Sequence, residues 1–112
     1  MSYTIYQGDL RRWADAYRGE PFHALLCDPP YELGFMGKSW DSTGIAFQPD
    51  TWKALAQHLH PGAYGMAFSS TRTYHRMACA IEDAGLIIHT MMGWAFGCLS
   101  EDTEILTADG WE

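Results

Sequence analysis

The feature that most constrains the fold is a short apolar run that ends at two prolines. The run Phe22–Cys27 is followed directly by Asp28-Pro29-Pro30-Tyr31. A run of this length is typical of a buried strand, and two prolines cannot extend a central ladder because they lack the backbone N–H. The sequence therefore predicts a buried strand with this tetrapeptide at its carboxyl end.

Three amphipathic helices are predicted around this strand. In each helix, apolar residues recur at i, i+3, i+4 and i+7, which places them on one helix face. The three stripes are Leu10, Trp13, Ala14 and Tyr17; Trp52, Leu55, Ala56 and Leu59; and Tyr74, Met77, Ala78 and Ile81. Asp9 and Asp50 are predicted to cap the first two helices, and Gly19 and Gly85 to end the first and third.

Further strands are predicted at residues 3–6, 63–69 and 86–92, which are short and apolar. Residues 31–49 contain three glycines and no sustained period, which predicts a long, mobile loop. Strands that alternate with helices predict an α/β fold, with a mostly parallel sheet and helices on both faces. Ligands collect outside the carboxyl ends of the strands in such sheets, where residues 28–31 fall.

Composition and charge restrict the class of protein. Of the 112 residues, 47% are apolar, which favours one small folded domain over disorder. The net charge is −7, the wrong sign for a protein that clamps nucleic acid unaided. Residues 98–112 contribute −5 of it, and residues 1–97 only −2. We find neither an apolar stretch of roughly 18 to 20 residues nor a signal peptide, so we expect a cytoplasmic protein without a membrane partner.

The three cysteines, Cys27, Cys79 and Cys98, have no CxxC or Cys/His spacing. An odd number of cysteines without ligand spacing indicates reduced thiols rather than a disulfide framework or a zinc site. We therefore expect no metal.

The tetrapeptide combines a carboxylate, a rigid turn and an aromatic ring, and each suits a flat base. A base stacked on Tyr31 would donate hydrogen bonds from its exocyclic amino group to the Asp28 side chain and the Pro29 carbonyl. Two acceptors localise the nitrogen lone pair, which makes the nitrogen nucleophilic towards an activated methyl group. The alternative is an ordinary strand stop with a capping Asp and a packed Tyr.

Residues 3–97 resemble the DNA N6-adenine and N4-cytosine methyltransferases, on motifs that occur in the same order. These motifs are Gly8-Asp9, Leu25-Leu26-Cys27, Asp28-Pro29-Pro30-Tyr31, Leu59-His60-Pro61-Gly62-Ala63, Gly85 and Trp94. The loop Gly34-Phe35-Met36-Gly37-Lys38-Ser39-Trp40-Asp41 is similar to phage and bacterial members. The resemblance implies a partial Rossmann-like methyltransferase sheet, S-adenosylmethionine as cofactor and DNA as partner, in a bacterial or phage-infected cell.

The resemblance also implies roles for individual residues. Residues 28–31 would be catalytic, and Asp28, rather than a serine, favours adenine over cytosine as the target. Asp9 and Asp28 would bind the cofactor, although Asp9 has the alternative of a plain helix cap. Lys38 would contact a DNA phosphate or be a solvated charge, and Trp40 would wall the base pocket or anchor its loop.

The chain departs from the family in lacking a Gly-rich FxGxG-type cofactor segment. In members where the tetrapeptide comes first, this segment lies later in the chain. We therefore expect residues 1–97 to be the N-terminal part of the enzyme and to be inactive alone.

Residues 98–112, CLSEDTEILTADGWE, resemble the opening block of an intein, C-L-x-x-D-T-x-I-x-T-x-x-G-W. The resemblance implies that Cys98 attacks the carbonyl of Gly97 and that a complementary C-terminal methyltransferase and intein fragment is the partner. The alternative is an acidic tail with an accidental cysteine.

Three hypotheses stay open on the sequence. The chain is part of a DNA amino-methyltransferase, a split-intein half whose own chemistry is protein splicing, or a non-catalytic α/β binding domain. The neighbouring reading frame would separate them. If it encodes the missing cofactor motif, preceded by an intein C-terminal His-Asn, it supports the first two hypotheses together, and the absence of that motif favours the third.

Overall fold

The computed structural model describes residues 2–95 and 97, together with the backbone of residues 106–107 and 110–111. Its central sheet consists of two parallel strands, β1 (Phe22–Cys27) and β2 (Leu59–Ala67). The segment between them contains three 3-10 turns and a helix, so that β1 and β2 form a βαβ unit. The molecule is a small α/β fold, and its parallel pair is compatible with part of a Rossmann-like sheet.

Three α-helices accompany the sheet: α1 (Leu10–Ala16), α2 (Pro49–Ala56) and α3 (Tyr74–Asp83). A separate antiparallel pair joins β3 (Leu106–Thr107) to β4 (Gly110–Trp111). The three predicted helices are therefore present, although their ends differ from the predicted ones.

Local chemistry explains the ends of α1 and α3. The Asp9 side chain accepts a hydrogen bond of 2.9 Å from the backbone N–H of Arg11, which confirms Asp9 as the cap of α1. α1 ends at Ala16, before the predicted stop at Gly19. α3 is followed by Gly85 with φ +95°, a left-handed conformation that ends a helix, as predicted.

Two predictions about α2 are wrong, namely its cap and the place of Leu59. α2 begins at Pro49 with Gln48 as its cap, so Asp50 lies inside the first turn. Proline is common at the first position of a helix, because its ring fixes φ near the helical value. The backbone N–H that proline lacks would have had no hydrogen-bond partner within the helix at this position. Leu59, predicted on the α2 stripe, is instead the first residue of β2.

β2 carries an irregularity opposite the start of β1. Phe22 pairs with Leu59 but Ala24 pairs with Tyr64, so β2 contains extra residues between these pairs. The extra residues include Pro61, which cannot donate to a ladder, and Gly62, whose φ is +81°. A bulge at these two residues lets β2 begin earlier than the predicted residue 63.

The predicted strands at residues 3–6 and 86–92 are wrong in the described part of the chain, where neither segment joins a ladder. Both are largely exposed, with Tyr3 86% and Ile87 88% accessible. Apolar content alone does not make a strand, because a strand needs a neighbour for its backbone hydrogen bonds.

Residues 86–95 nevertheless follow the direction of β2. The His89 ring lies 6.2 Å from that of Tyr64, and the Trp94 ring lies 5.9 Å from that of Phe68. These ring contacts place the segment beside β2 without the hydrogen bonds of a third strand.

The core lies between the helices and one face of the sheet. Its buried apolar residues are Ala46, Trp52, Leu55, Met77 and Ala80. Leu25, Cys27 and Ala67 pack against this cluster from the sheet. On the opposite face, Leu26, Tyr64 and Met66 are exposed, so in residues 2–95 the predicted helices on both faces are found on one face only.

No helix within the described residues combines the length and the apolar character needed to cross a membrane.

Candidate functional site

The tetrapeptide 28–31 lies where the sequence predicts, immediately after the last residue of β1. Cys27 pairs with Ala67, and the N–H of Phe68 donates to the Cys27 carbonyl at 3.0 Å. Both parallel strands therefore end together, and Asp28 follows the carboxyl edge of the sheet. This is the edge at which open α/β sheets bind ligands.

An open cavity of about 430 Å³ lies at this edge. It brings together five residues that the sequence singles out, which are Asp9, Asp28, Pro29, Pro30 and Trp40. Its remaining walls are largely apolar, with Leu10 from α1 and Trp52 and Leu55 from α2. A volume of several hundred Å³ with apolar walls and a few polar groups is typical of small-molecule sites.

Tyr31 does not line this cavity, although its phenol is close enough to Asp28 to interact with that carboxylate. Burial raises the pKa of the Tyr31 phenol, and the negative charge of Asp28 raises it further. The Tyr31 carbonyl accepts a hydrogen bond of 2.7 Å from the hydroxyl of Thr73, just before α3. Asp28 thus lines the cavity and also interacts with the Tyr31 phenol, and the Thr73 hydrogen bond ties the turn to the start of α3.

Asp9 lines the cavity and forms an ion pair with Arg11. Its carboxylate is 3.0 Å from the guanidinium of Arg11, which also lines the cavity. The side-chain hydrogen bond from Arg11 lowers the pKa of Asp9 to about 2, and the Arg11 backbone N–H adds to this effect. Asp9 is therefore both a helix cap and a cavity residue, and a ligand would meet a carboxylate already paired with a cation.

The loop after the tetrapeptide is folded around two carboxylates to which the sequence assigned no role. Asp41 is 2% exposed and accepts backbone N–H bonds from Glu32, Leu33 and Phe35 at 3.0, 3.2 and 2.9 Å. These backbone bonds, that of Phe35 foremost, lower the pKa of Asp41 although its burial opposes them. Glu32 in turn accepts the N–H of Gly44 at 2.8 Å.

A sequence signal for these two residues exists in retrospect. Acidic side chains in a Gly-rich loop face many backbone N–H groups that have no helix or ladder partner, and each such group needs an acceptor. The predicted mobility of this loop stays a prediction, whereas its hydrogen bonds define three short 3-10 turns.

The two loop residues with proposed contacts are placed differently. Trp40 lines the cavity with 55% of its surface exposed, and its ring is 6.4 Å from that of Phe35. Lys38 is exposed and lies outside the cavity lining. The structure therefore joins Trp40, but not Lys38, to the Asp28 edge.

Two further aspects of the predicted sites concern splicing and metals. Gly97 is exposed, and Cys98 lies outside the described residues. In the part of the chain that the structure describes, no three His, Cys, Asp or Glu side chains cluster as metal ligands.

Comparisons of the chain with protein-family models, with curated proteins and with solved structures found no match. A proposal for its function therefore rests on the sequence motifs and on the geometry of the Asp28 edge.

Proposed function

We propose that residues 1–97 contribute the catalytic motif of an S-adenosylmethionine-dependent DNA amino-methyltransferase. Adenine N6 is the favoured target and cytosine N4 the second. The observation that supports this most is the cavity at the carboxyl edge of β1, because Asp28 and Asp9, two motif residues separated in sequence, both line it.

The cavity walls suit the proposed cofactor, which supplies a methyl group on a positively charged sulfur. Asp28 offers a carboxylate to a cationic ligand, and the exposed side chains of Leu10 and Trp40 offer apolar surface to a ring. The Gly-rich segment of the family does not occur in these 112 residues. We therefore expect these residues alone to bind the cofactor only weakly.

Asp28 and Tyr31 would act on the target base after it leaves the helix stack. The Tyr31 ring stacks on the base, while the Asp28 carboxylate and the Pro29 carbonyl accept hydrogen bonds from the amino group. When bound, the cofactor would supply the methyl group to this nitrogen and would leave as a neutral thioether. The amino group loses one proton, towards Asp28 or water.

Nuclear magnetic resonance of the ¹⁵N-labelled chain tests the cofactor half of this proposal. Titration with S-adenosylmethionine, which carries the positively charged sulfur, at millimolar concentration should shift the signals of residues near Asp9, Asp28 and Trp40. The Asp28→Ala chain should lose these shifts while keeping its fold, because Asp28 is exposed. Asp15→Ala, an exposed carboxylate on α1, is the matched control and should bind as the native chain does.

DNA methylation tests the catalytic half. The chain alone should not methylate duplex DNA, since it lacks the Gly-rich segment and carries a net charge of −7. Assembled with a polypeptide that supplies that segment, it should methylate adenine, and Asp28→Ala should abolish turnover. Normal turnover by the Asp28→Ala assembly would refute the assignment.

For residues 98–112 we propose the start of an intein, on the sequence motif alone. The Cys98 thiol would attack the Gly97 carbonyl and convert the amide into a thioester, which requires a base and oxyanion donors from further intein sequence. Mixed with a matching C-terminal half, the chain should release residues 98–112, and Cys98→Ala should block this. Equal processing of both chains would leave the acidic tail as the better interpretation.

A further inference from the structure

The loop of residues 31–47 is fastened by two carboxylates that reach in opposite directions along the chain. Asp41 accepts from the N–H groups of Glu32, Leu33 and Phe35, which precede it. Glu32 accepts from the N–H groups of Gly44 and Ala46, at 2.8 and 3.5 Å, which lie beyond Asp41. The beginning of the loop is therefore bonded to both its middle and its end.

The backbone at Glu32 shows that these bonds impose a conformation. Glu32 has φ +62°, in the left-handed region that residues other than glycine seldom adopt. Such a conformation persists only where the surroundings fix it, and it is concentrated at binding sites and switches. Here the Glu32 N–H is bonded to Asp41 while the Glu32 carboxylate is bonded to Gly44.

The fastened part of the loop forms one wall of the Asp28 cavity. Trp40, Thr43, Ile45 and Ala46 line the cavity, and all lie within or beside the segment that the two carboxylates hold. Trp40 directly precedes Asp41 and is more than half exposed at 55%, so packing alone does little to fix its ring. The side chain of the neighbouring Asp41 holds this part of the loop through its hydrogen bonds to the backbone of Glu32, Leu33 and Phe35.

We infer that Glu32 and Asp41 are positioning residues that hold the Trp40 indole as a fixed wall of the cavity that Asp28 also lines. The inference rests on the proposed function in one respect, because it assigns the cavity to the cofactor. The inference adds that Trp40 contacts this ligand. Glu32 and Asp41 do not contact the ligand themselves, and they keep Trp40 in place.

Indole N–H signals of the ¹⁵N-labelled chain test the inference without any ligand. The heteronuclear NOE of the Trp40 Nε1–H should fall in both Asp41→Asn and Glu32→Gln. In each variant an NH2 group, which cannot accept, replaces one of the two accepting oxygens, so at least one backbone N–H loses its acceptor. Trp52, which is 2% exposed, provides the internal reference and should stay rigid. Trp40→Phe identifies the Trp40 signal, and Asp15→Asn is the control with an equal loss of charge.

Titration with S-adenosylhomocysteine at millimolar concentration gives the second readout. The native and Asp15→Asn chains should show a shift of the Trp40 indole signal, and Asp41→Asn and Glu32→Gln should lose it. If Asp41→Asn also mobilises Trp52, the variant has unfolded and Glu32→Gln decides the matter.

The outcomes separate this inference from the proposed function. A rigid Trp40 in the folded carboxylate variants overturns the inference, and so does a mobile Trp40 with unchanged ligand shifts. A native chain that shows no ligand shift anywhere, while Asp41→Asn mobilises Trp40, contradicts the cofactor assignment but supports the positioning of the wall.

Discussion

The two faces of the sheet carry similar residues in opposite surroundings. Leu25 and Leu26 are neighbours on β1, yet Leu25 packs against the helix core while Leu26 is 73% exposed. Tyr64 and Met66 lie beside Leu26 on β2 and are 74% and 49% exposed. Apolar residues on a strand therefore predict a sheet but do not tell which face is covered. Parallel sheets are normally covered on both faces, whereas in residues 2–95 one face of this sheet is open.

Replacement of Trp52 should have the largest effect, because this residue fills the centre of the covered face. Trp52→Ala should lower the free energy of unfolding by about 3–5 kcal/mol. It also removes the indole N–H that donates to the Ala46 carbonyl at 2.9 Å. Urea unfolding measures the change. Trp94→Ala, at a site 75% exposed, is the control and should cost less than about 0.5 kcal/mol.

The two neighbouring leucines test the difference between the faces directly. Leu25→Ala should destabilise the protein by about 2 kcal/mol, at the low end for a buried leucine since Leu25 is only partly buried. Leu26→Ala should change the free energy of unfolding by less than about 0.5 kcal/mol. If Leu26→Ala proves as costly as Leu25→Ala in urea unfolding, something covers the exposed face in solution.

Acid should loosen the loop beside the covered face through Asp41. Its folded-state pKa lies below the ordinary 3.8, so the Asp41 carboxylate stabilises the fold fully above that value. This stabilisation is lost as the pH falls through the lowered pKa. Unfolding in urea at stepwise lower pH should show the loss in the native chain and a smaller one in Asp41→Asn. Asp15→Asn should retain the full acid dependence if Asp41 is its source.

Thiol reactivity should give the smallest contrast between covered and open positions. Cys27 faces the core, and burial first, then the Asp28 charge, raises the pKa of its thiol. Cys79 is exposed on α3. In a Cys98→Ser background, iodoacetamide should therefore modify Cys79 before Cys27, because the thiolate is the reactive form. Equal rates, measured by mass spectrometry of the peptides, would contradict the burial of Cys27.

Local patterns predicted much of the Asp28 edge. The strand Phe22–Cys27, its stop at two prolines and the Asp9 cap depend on neighbouring residues in the chain, so the sequence contains what is needed to find them. The predicted burial of this strand is wrong, because only Leu25 and Cys27 are partly buried and the other four residues are exposed. Asp9, Asp28 and Trp40 were singled out on motifs and do line one cavity. Lys38 was singled out in the same way but lies outside that lining.

The sequence by itself determined the approximate places of the three helices, because the i, i+3, i+4, i+7 spacing acts within a few residues. Their ends were less well predicted, since Asp9 caps α1 but Asp50 does not cap α2. Only the tertiary structure decided which apolar segments became strands, since backbone pairing requires a partner that local sequence does not specify. Residues 3–6 and 86–92 have the composition of strands and no ladder. Tertiary structure also decided that Glu32 and Asp41 fasten the loop, because their hydrogen bonds span six to fourteen residues that have no periodic pattern.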